Sequence, residues 1–203
     1  PQDPEGLIQL LGGDESYTER LDELFSMSSE QEEGASMDIT GLIGQYAHGN
    51  EPSHHTTYMY AYSGHPYKIA DKVRYINNEL YTDQPDGLSG NEDCGQMSAW
   101  YIFSSIGFYP VNPSNGGYVF GSPLFDEALI KLPANKSFKV IAENNSDKNI
   151  YIQSVTLNGK KHNYSYITHK QIMDGGELKF VMGPKPNYDF GKEKKFRPAS
   201  IVY

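Results

Sequence analysis

A change of hydrophobic rhythm near residue 108 constrains this 203-residue chain more than any other feature. Before it, apolar residues recur at three- and four-residue spacing, the period of a helix with one buried face. After it, they alternate in short runs broken by turn residues, the period of strands. Helices followed by strands predict an α+β fold, with a helical part over 1–107 and an antiparallel β-sheet or sandwich portion over 108–203.

In the helical part, Asp3-Pro4-Glu5 reads as a cap followed by a first-turn proline. Leu7, Ile8, Leu10 and Leu11 are the expected buried face, and Gly12-Gly13 the stop. A second helix is predicted over 16–25 on Tyr17, Leu21, Leu24 and Phe25, and a polar loop over 26–37. Residues 39–48 read as a buried segment entering a turn at Gly49-Asn50. Further helices are expected from Glu51 to Gly64, from His65 to Leu80, and from Cys94 to Ile106, with a polar loop over 82–93. Helical hairpins in this arrangement suit an open bundle or the wall of an (α/α) barrel. Strands are predicted at 118–120, 127–131, 137–142, 150–157, 163–167 and 177–182, with Asn158-Gly159 as a two-residue hairpin turn. From Lys185 the tail is basic and less patterned.

The net charge of −9 argues against a nucleic-acid partner and against a polybasic membrane anchor. No apolar run reaches the roughly 20 residues of a membrane helix. The single cysteine, Cys94, excludes an intrachain disulfide. The chain starts at Pro1 rather than Met, which reads as a processed chain or a piece of a larger protein. Sixteen tyrosines either fill a core or face sugar or protein, since the ring is apolar and its hydroxyl polar.

Two segments are dense in polar groups between buried-looking stretches. His48-Gly49-Asn50-Glu51-Pro52-Ser53-His54-His55 carries three histidines, but adjacent His54 and His55 point apart, which is poor zinc spacing. Bracing of helix ends is the other reading of these histidines. Gly90-Asn91-Glu92-Asp93-Cys94-Gly95-Gln96 gathers acids and amides before an aromatic helix. An ionised Asp93 there could take a proton from water or ligate a hard cation, and Asn91 or Asp93 could instead cap the helix. Asn50, Glu51, Asn91 and Asp93 offer oxygen ligands, which suit calcium better than zinc.

These two segments, with Gly107-Phe108-Tyr109-Pro110-Val111, Gly121-Ser122-Pro123 and the opening Pro1-Gln2-Asp3-Pro4-Glu5-Gly6-Leu7, closely resemble glycoside hydrolase family 92 over about residues 1–190. These are bacterial, calcium-dependent exo-α-mannosidases. The resemblance implies the last helices of an (α/α)6 barrel and the strands after them, packed against a missing N-terminal part of the same protein. It implies hydrolysis of terminal α-linked mannose in glycans with inversion, in the periplasm or outside the cell. It implies Asp93 as catalytic base, the acid upstream of Pro1, and Ca2+ held by Asn50, Glu51 and Asp93, gripping two hydroxyls of the terminal mannose. His48, Gly49, Asn91 and Glu92 are implied substrate contacts. Some family members carry aspartate at the position of Asn91, so the base role falls on Asp93 alone. Gly49, without a side chain, leaves linkage preference undecided. The rival reading is a non-catalytic carbohydrate-binding or scaffold fragment.

Overall fold

A computed structural model describes residues 2–31, 34 and 39–200. Helix α1 (Pro4–Leu10) starts where Asp3 accepts a hydrogen bond from the Gly6 amide, and α2 (Asp14–Ser26) follows two left-handed glycines, Gly12 and Gly13. Only Pro4 and Ile8 of α1 are buried. Its expected apolar face is therefore corrected: Leu10 is 82 % exposed, and Leu7 and Leu11 lie open beside it, because no described element covers that side. The predicted loop 26–37 falls partly outside the described residues.

Strands β1 (Leu42–Ile43) and β2 (Tyr46–Ala47) form a small hairpin. The expected helix from Glu51 is not α-helical. It is a series of 3-10 turns, Glu51–Ser53 and Thr56–Ala61, followed by Pro66–Lys68 before α3 (Ile69–Glu79). Two β-branched threonines and the bulky run Tyr58-Met59-Tyr60 disfavour a regular helix. Residues 57–64 are buried on every side, so packing rather than propensity fixes them. Helix α4 (Gln96–Ile106) ends at the left-handed Gly107.

Beyond it run β3 (Phe108–Asn112), β4 (Gly117–Phe120), β5 (Glu127–Lys131), β6 (Ser137–Glu143), β7 (Tyr151–Leu157), β8 (Lys160–Lys161), β9 (Tyr166–Thr168), the short helix α5 (His169–Met173) and β10 (Gly176–Gly183). The hairpin at Asn158-Gly159 forms as predicted, with both residues left-handed. The strand expected at 163–167 pairs instead over 166–168. Helix α5, which the sequence reading did not place, starts at Thr168-x-x-Gln171, which closes a capping box.

One sheet has the order β3-β4-β9 and the other β5-β6-β10-β7-β8. The purely antiparallel expectation fails at one pair: β6 and β10 run parallel, Val140 opposite Leu178. Strand β10 inserts between β6 and β7, placing Leu178, Phe180 and Met182 against Phe138, Val140 and Ala142 in one core with Phe108, Phe120 and Ile167 of the other sheet. Alternation reveals a strand's two faces but not its neighbour.

The helical and sheet-bearing parts are joined by buried polar contacts. Arg74 of α3 donates from Nε to Ser122 Oγ at 2.9 Å and from Nη2 to the Pro123 carbonyl and Asn145 Oδ1. The Gly121 amide reaches the Gly107 carbonyl at 2.9 Å. The basic tail turns back across the molecule: Arg197 pairs with Asp14 at 2.8 Å, Lys194 with Glu5 at 3.1 Å, and Ser200 with Asp3 at 2.9 Å. Replacing Arg74 by Met leaves Ser122, Pro123 and Asn145 with buried polar atoms to satisfy. The variant is expected to lose about 2–4 kcal/mol of stability, seen as a lowered urea midpoint.

Candidate active site

The two polar motifs meet at their glycines. A Cβ on Gly90 would overlap the Gly49 carbonyl, and one on Gly49 would overlap Thr40 Oγ1 and come within 2.5 Å of the Ser89 carbonyl. Only backbone without a side chain permits this approach. The missing side chain at Gly49 therefore has a packing cause, which sequence alone did not show. The partner loop is itself tied down: Tyr81 bridges to Leu88, and Ser89 Oγ donates to the Leu80 carbonyl at 3.1 Å.

Behind this contact lies a network of histidines and tyrosines. His48 is fully buried. The Tyr81 hydroxyl donates its one proton to the Met97 carbonyl at 3.0 Å, so its oxygen accepts from His48 Nε2 at 2.7 Å. His48 Nδ1 is then the acceptor for the Tyr46 hydroxyl at 2.8 Å. The His48 carbonyl accepts from His54 Nε2 at 3.0 Å, and His54 Nδ1 accepts from the Gln96 amide at 3.1 Å. The same amide reaches Tyr109 Oη, and Trp100 Nε1 donates to the His54 carbonyl, both at 3.1 Å. The Trp100 ring meets His48 edge-on with centroids 4.4 Å apart.

Burial lowers the His48 pKa to about 3, with the neighbouring His54 adding in the same direction; burial also lowers that of His54. Both rings are therefore neutral, as their hydrogen bonds require. The structure gives His48 a bracing position: both ring nitrogens are spent on tyrosines, and none of it is exposed.

Asp93 lies exposed on a left-handed turn before α4. Its φ is 47°, that of Cys94 59° and that of Gly95 91°. Such φ values cost a non-glycine residue about 1–3 kcal/mol and persist only where surroundings impose them. Neither Asn91 nor Asp93 caps the helix. Glu92 does: its carboxylate accepts from the Ser98 amide at 3.0 Å and from Ser98 Oγ at 2.7 Å. The carboxylate of Glu92, the implied substrate contact, is turned onto the helix end. Asn91 is exposed, and Asn50 and Glu51 are half-buried at the start of the 3-10 turn. Among the described residues, no group of three or more His, Cys, Asp or Glu side chains is gathered to hold a metal. Tyr46, Tyr81, Gln96 and Trp100 were not singled out by sequence reasoning as supports of the site. The spacing Tyr46-x-His48, which puts both side chains on one face of an extended segment, was the available signal.

The sequence matches the glycosyl hydrolase family 92 catalytic domain over residues 1–184. The chain belongs to this family. It is 31 % identical over 204 residues to an uncharacterized secreted glycosidase of Arthroderma benhamiae, covering 99 % of this chain and 24 % of that protein. Its fold superposes with a TM-score of 0.93 on a family 92 α-mannosidase of Bacteroides thetaiotaomicron solved with mannoimidazole, at 45 % identity over 99 % of this chain and 26 % of the other. A family 92 inverting mannosidase of the same organism gives a TM-score of 0.85 at 39 % identity, covering 98 % and 28 %. The family 92 chain thus spans about a quarter of the length of these relatives. No described helix is long and apolar enough to cross a membrane.

The unfolded state binds a proton on His48 near pH 6.5, the folded state only near pH 3. This group therefore contributes stability that is present above the unfolded pKa and is lost as pH falls toward 3, at up to about 1.4 kcal/mol per pH unit. The 15N shifts of His48 are expected to report a neutral, Nε2-protonated ring at about pH 5. An imidazolium pattern at that pH would contradict the assignment.

Proposed function

We propose that this chain is the C-terminal portion of an inverting, calcium-dependent exo-α-mannosidase that removes terminal α-linked mannose from glycans outside the cytoplasm, in the periplasm or beyond the cell. The observation that carries the reading is the meeting of the two motifs at Gly49 and Gly90, beside the turn that exposes Asp93. Support comes from the relatives: one described as an inverting mannosidase, one solved with mannoimidazole, and one described as secreted. In this reading residues 1–107 are the last helices of an (α/α)6 barrel and residues 108–203 its β-rich companion. The open leucines of α1 face the part of the protein that precedes them.

Asp93 is the proposed base. Its carboxylate takes a proton from a water as that water attacks the anomeric carbon, while an acid from another part of the protein protonates the leaving oxygen on the opposite face. Inversion requires these carboxyls to stand roughly 6.5–9.5 Å apart, leaving room for the water. Asn91, exposed two residues before the base, offers an amide to the same water or to a sugar hydroxyl.

Asn50, Glu51 and Asp93 are this chain's proposed calcium donors. All three present oxygen, which fits a hard cation. Calcium takes about 6–8 oxygens, so the remainder come from elsewhere in the protein, from water and from sugar. Bound there, the ion would supply positive charge for the hydroxyls of the terminal mannose.

In the full-length protein, Asp93→Ala is expected to lower kcat on an α-mannoside by about 10²–10⁴-fold with the fold retained. Chelation is expected to abolish activity, and calcium rather than zinc to restore it. Near-normal turnover of the variant would remove Asp93 from the base role. Binding of mannosides without any hydrolysis by the unaltered protein would favour a carbohydrate-binding fragment.

A further inference from the structure

The turn that carries Asp93 is unfavourable on its own, and one side chain closes it. Asp93, Cys94 and Gly95 occupy three consecutive left-handed positions, at φ 47°, 59° and 91°. The Gly95 position before α4 supplies no side chain, so the amides of the first helical turn need acceptors from elsewhere. Glu92 supplies the main one. Its Oε1 accepts from the Ser98 amide at 3.0 Å and its Oε2 from Ser98 Oγ at 2.7 Å, while its carbonyl accepts from the Met97 amide at 3.3 Å. The Asp93 carbonyl accepts from the Gln96 amide at 3.3 Å. The ring of backbone from 92 to 98 is thereby closed through both the main chain and the side chain of Glu92, with the left-handed residues as its outer arc. From the other side, Gln96 anchors the first turn of α4 to His54.

We infer that Glu92 is a positioning residue, whose carboxylate clamps the Ser98 end of the turn and so holds Asp93 in its exposed, left-handed conformation. This rests on the reading of Asp93 as the base. It assigns Glu92 no contact with sugar or metal. A hydrogen bond from an amide or hydroxyl to a carboxylate is stronger than one between neutral groups, and this one is repeated on both oxygens of a single side chain. Removing both acceptors frees the turn to relax toward ordinary φ values, which swings the residue that follows Glu92. The negative charge itself is not required for this role. A glutamine can accept the Ser98 amide proton on Oε1 and donate from Nε2 to Ser98 Oγ, preserving both contacts.

The test uses the full-length protein, an aryl α-mannoside, and the variants Asp93→Ala, Glu92→Ala, Glu92→Gln and Ser98→Ala, with kcat, KM and Tm measured for each. Glu92→Ala is expected to lower kcat by about 10²-fold, the size of effect that a displacement near 1 Å produces, with KM changed by less than about threefold. Glu92→Gln is expected to recover kcat to within about tenfold of the unaltered protein, and Ser98→Ala, which keeps the amide bond, to stay in the same range. A raised KM with normal kcat in Glu92→Ala would make Glu92 a substrate contact and overturn the inference. So would a Glu92→Gln variant as inactive as Glu92→Ala, since the charge would then be the working part. If Glu92→Ala does not fold, Glu92→Gln decides alone, and a loss beyond about 10²-fold in kcat overturns it. Full turnover in Asp93→Ala would instead sink the base assignment, whatever the Glu92 variants do.

Discussion

Everything near the candidate site leans on one buried, neutral imidazole. His48 joins the end of the small hairpin through Tyr46, the end of α3 through Tyr81, the first turn of α4 through Tyr81 and the Met97 carbonyl, and the 3-10 segment through His54. Four stretches of chain thus share one chain of hydrogen bonds. The arrangement tolerates no extra proton, because Nδ1 must remain an acceptor. Burial enforces that state: a charged ring in this aromatic surrounding would lose its hydration, and the neighbouring His54 acts in the same direction. Each bond contributes about 1 kcal/mol net, yet leaving any member unpaired in the interior costs more than its bond is worth.

On this rigid base sits a small strained surface. The close approach of Gly49 and Gly90 brings the motif loops side by side, and the left-handed turn at Asp93-Cys94-Gly95 lifts an acid into the open. Support and chemistry are separated: His48 and His54 are inside and bracing, whereas the carboxylate proposed to act is outside. A reacting group held within a fraction of an ångström needs such backing, since loops alone do not hold position.

The sheet-bearing part acts as a buttress. Arg74 reaches from α3 into the connection after β4, Gly107 and Gly121 pair backbone to backbone, and the tail carries Arg197 to Asp14 and Ser200 to Asp3. These contacts tie α1, α2 and α3 to the rest of the molecule. The Gly107 and Gly121 stretches, both parts of the family pattern, are the joint itself.

Local chemistry was legible in the sequence. Asp3-Pro4 started a helix because side chain and ring geometry act within one turn, and Asn158-Gly159 made a hairpin because both residues accept positive φ. The alternation of 127–131 and 137–142 read correctly because a strand's faces are a property of the strand. The two motifs were visible as polar residues where burial was expected. What depended on partners was not visible. The parallel pairing of β6 with β10, the 3-10 turns of 51–61 and the uncovered leucines of α1 are set by which surface arrives opposite, and periodicity carries no address. The same limit applied at the site. The sequence determined that His48, Glu92 and Asp93 would sit at functionally dense loops. Only the tertiary structure decided that His48 is enclosed by tyrosines, that Glu92 turns onto Ser98, and that Asp93 is left exposed, because burial and hydrogen-bond partners come from chain segments far away in sequence.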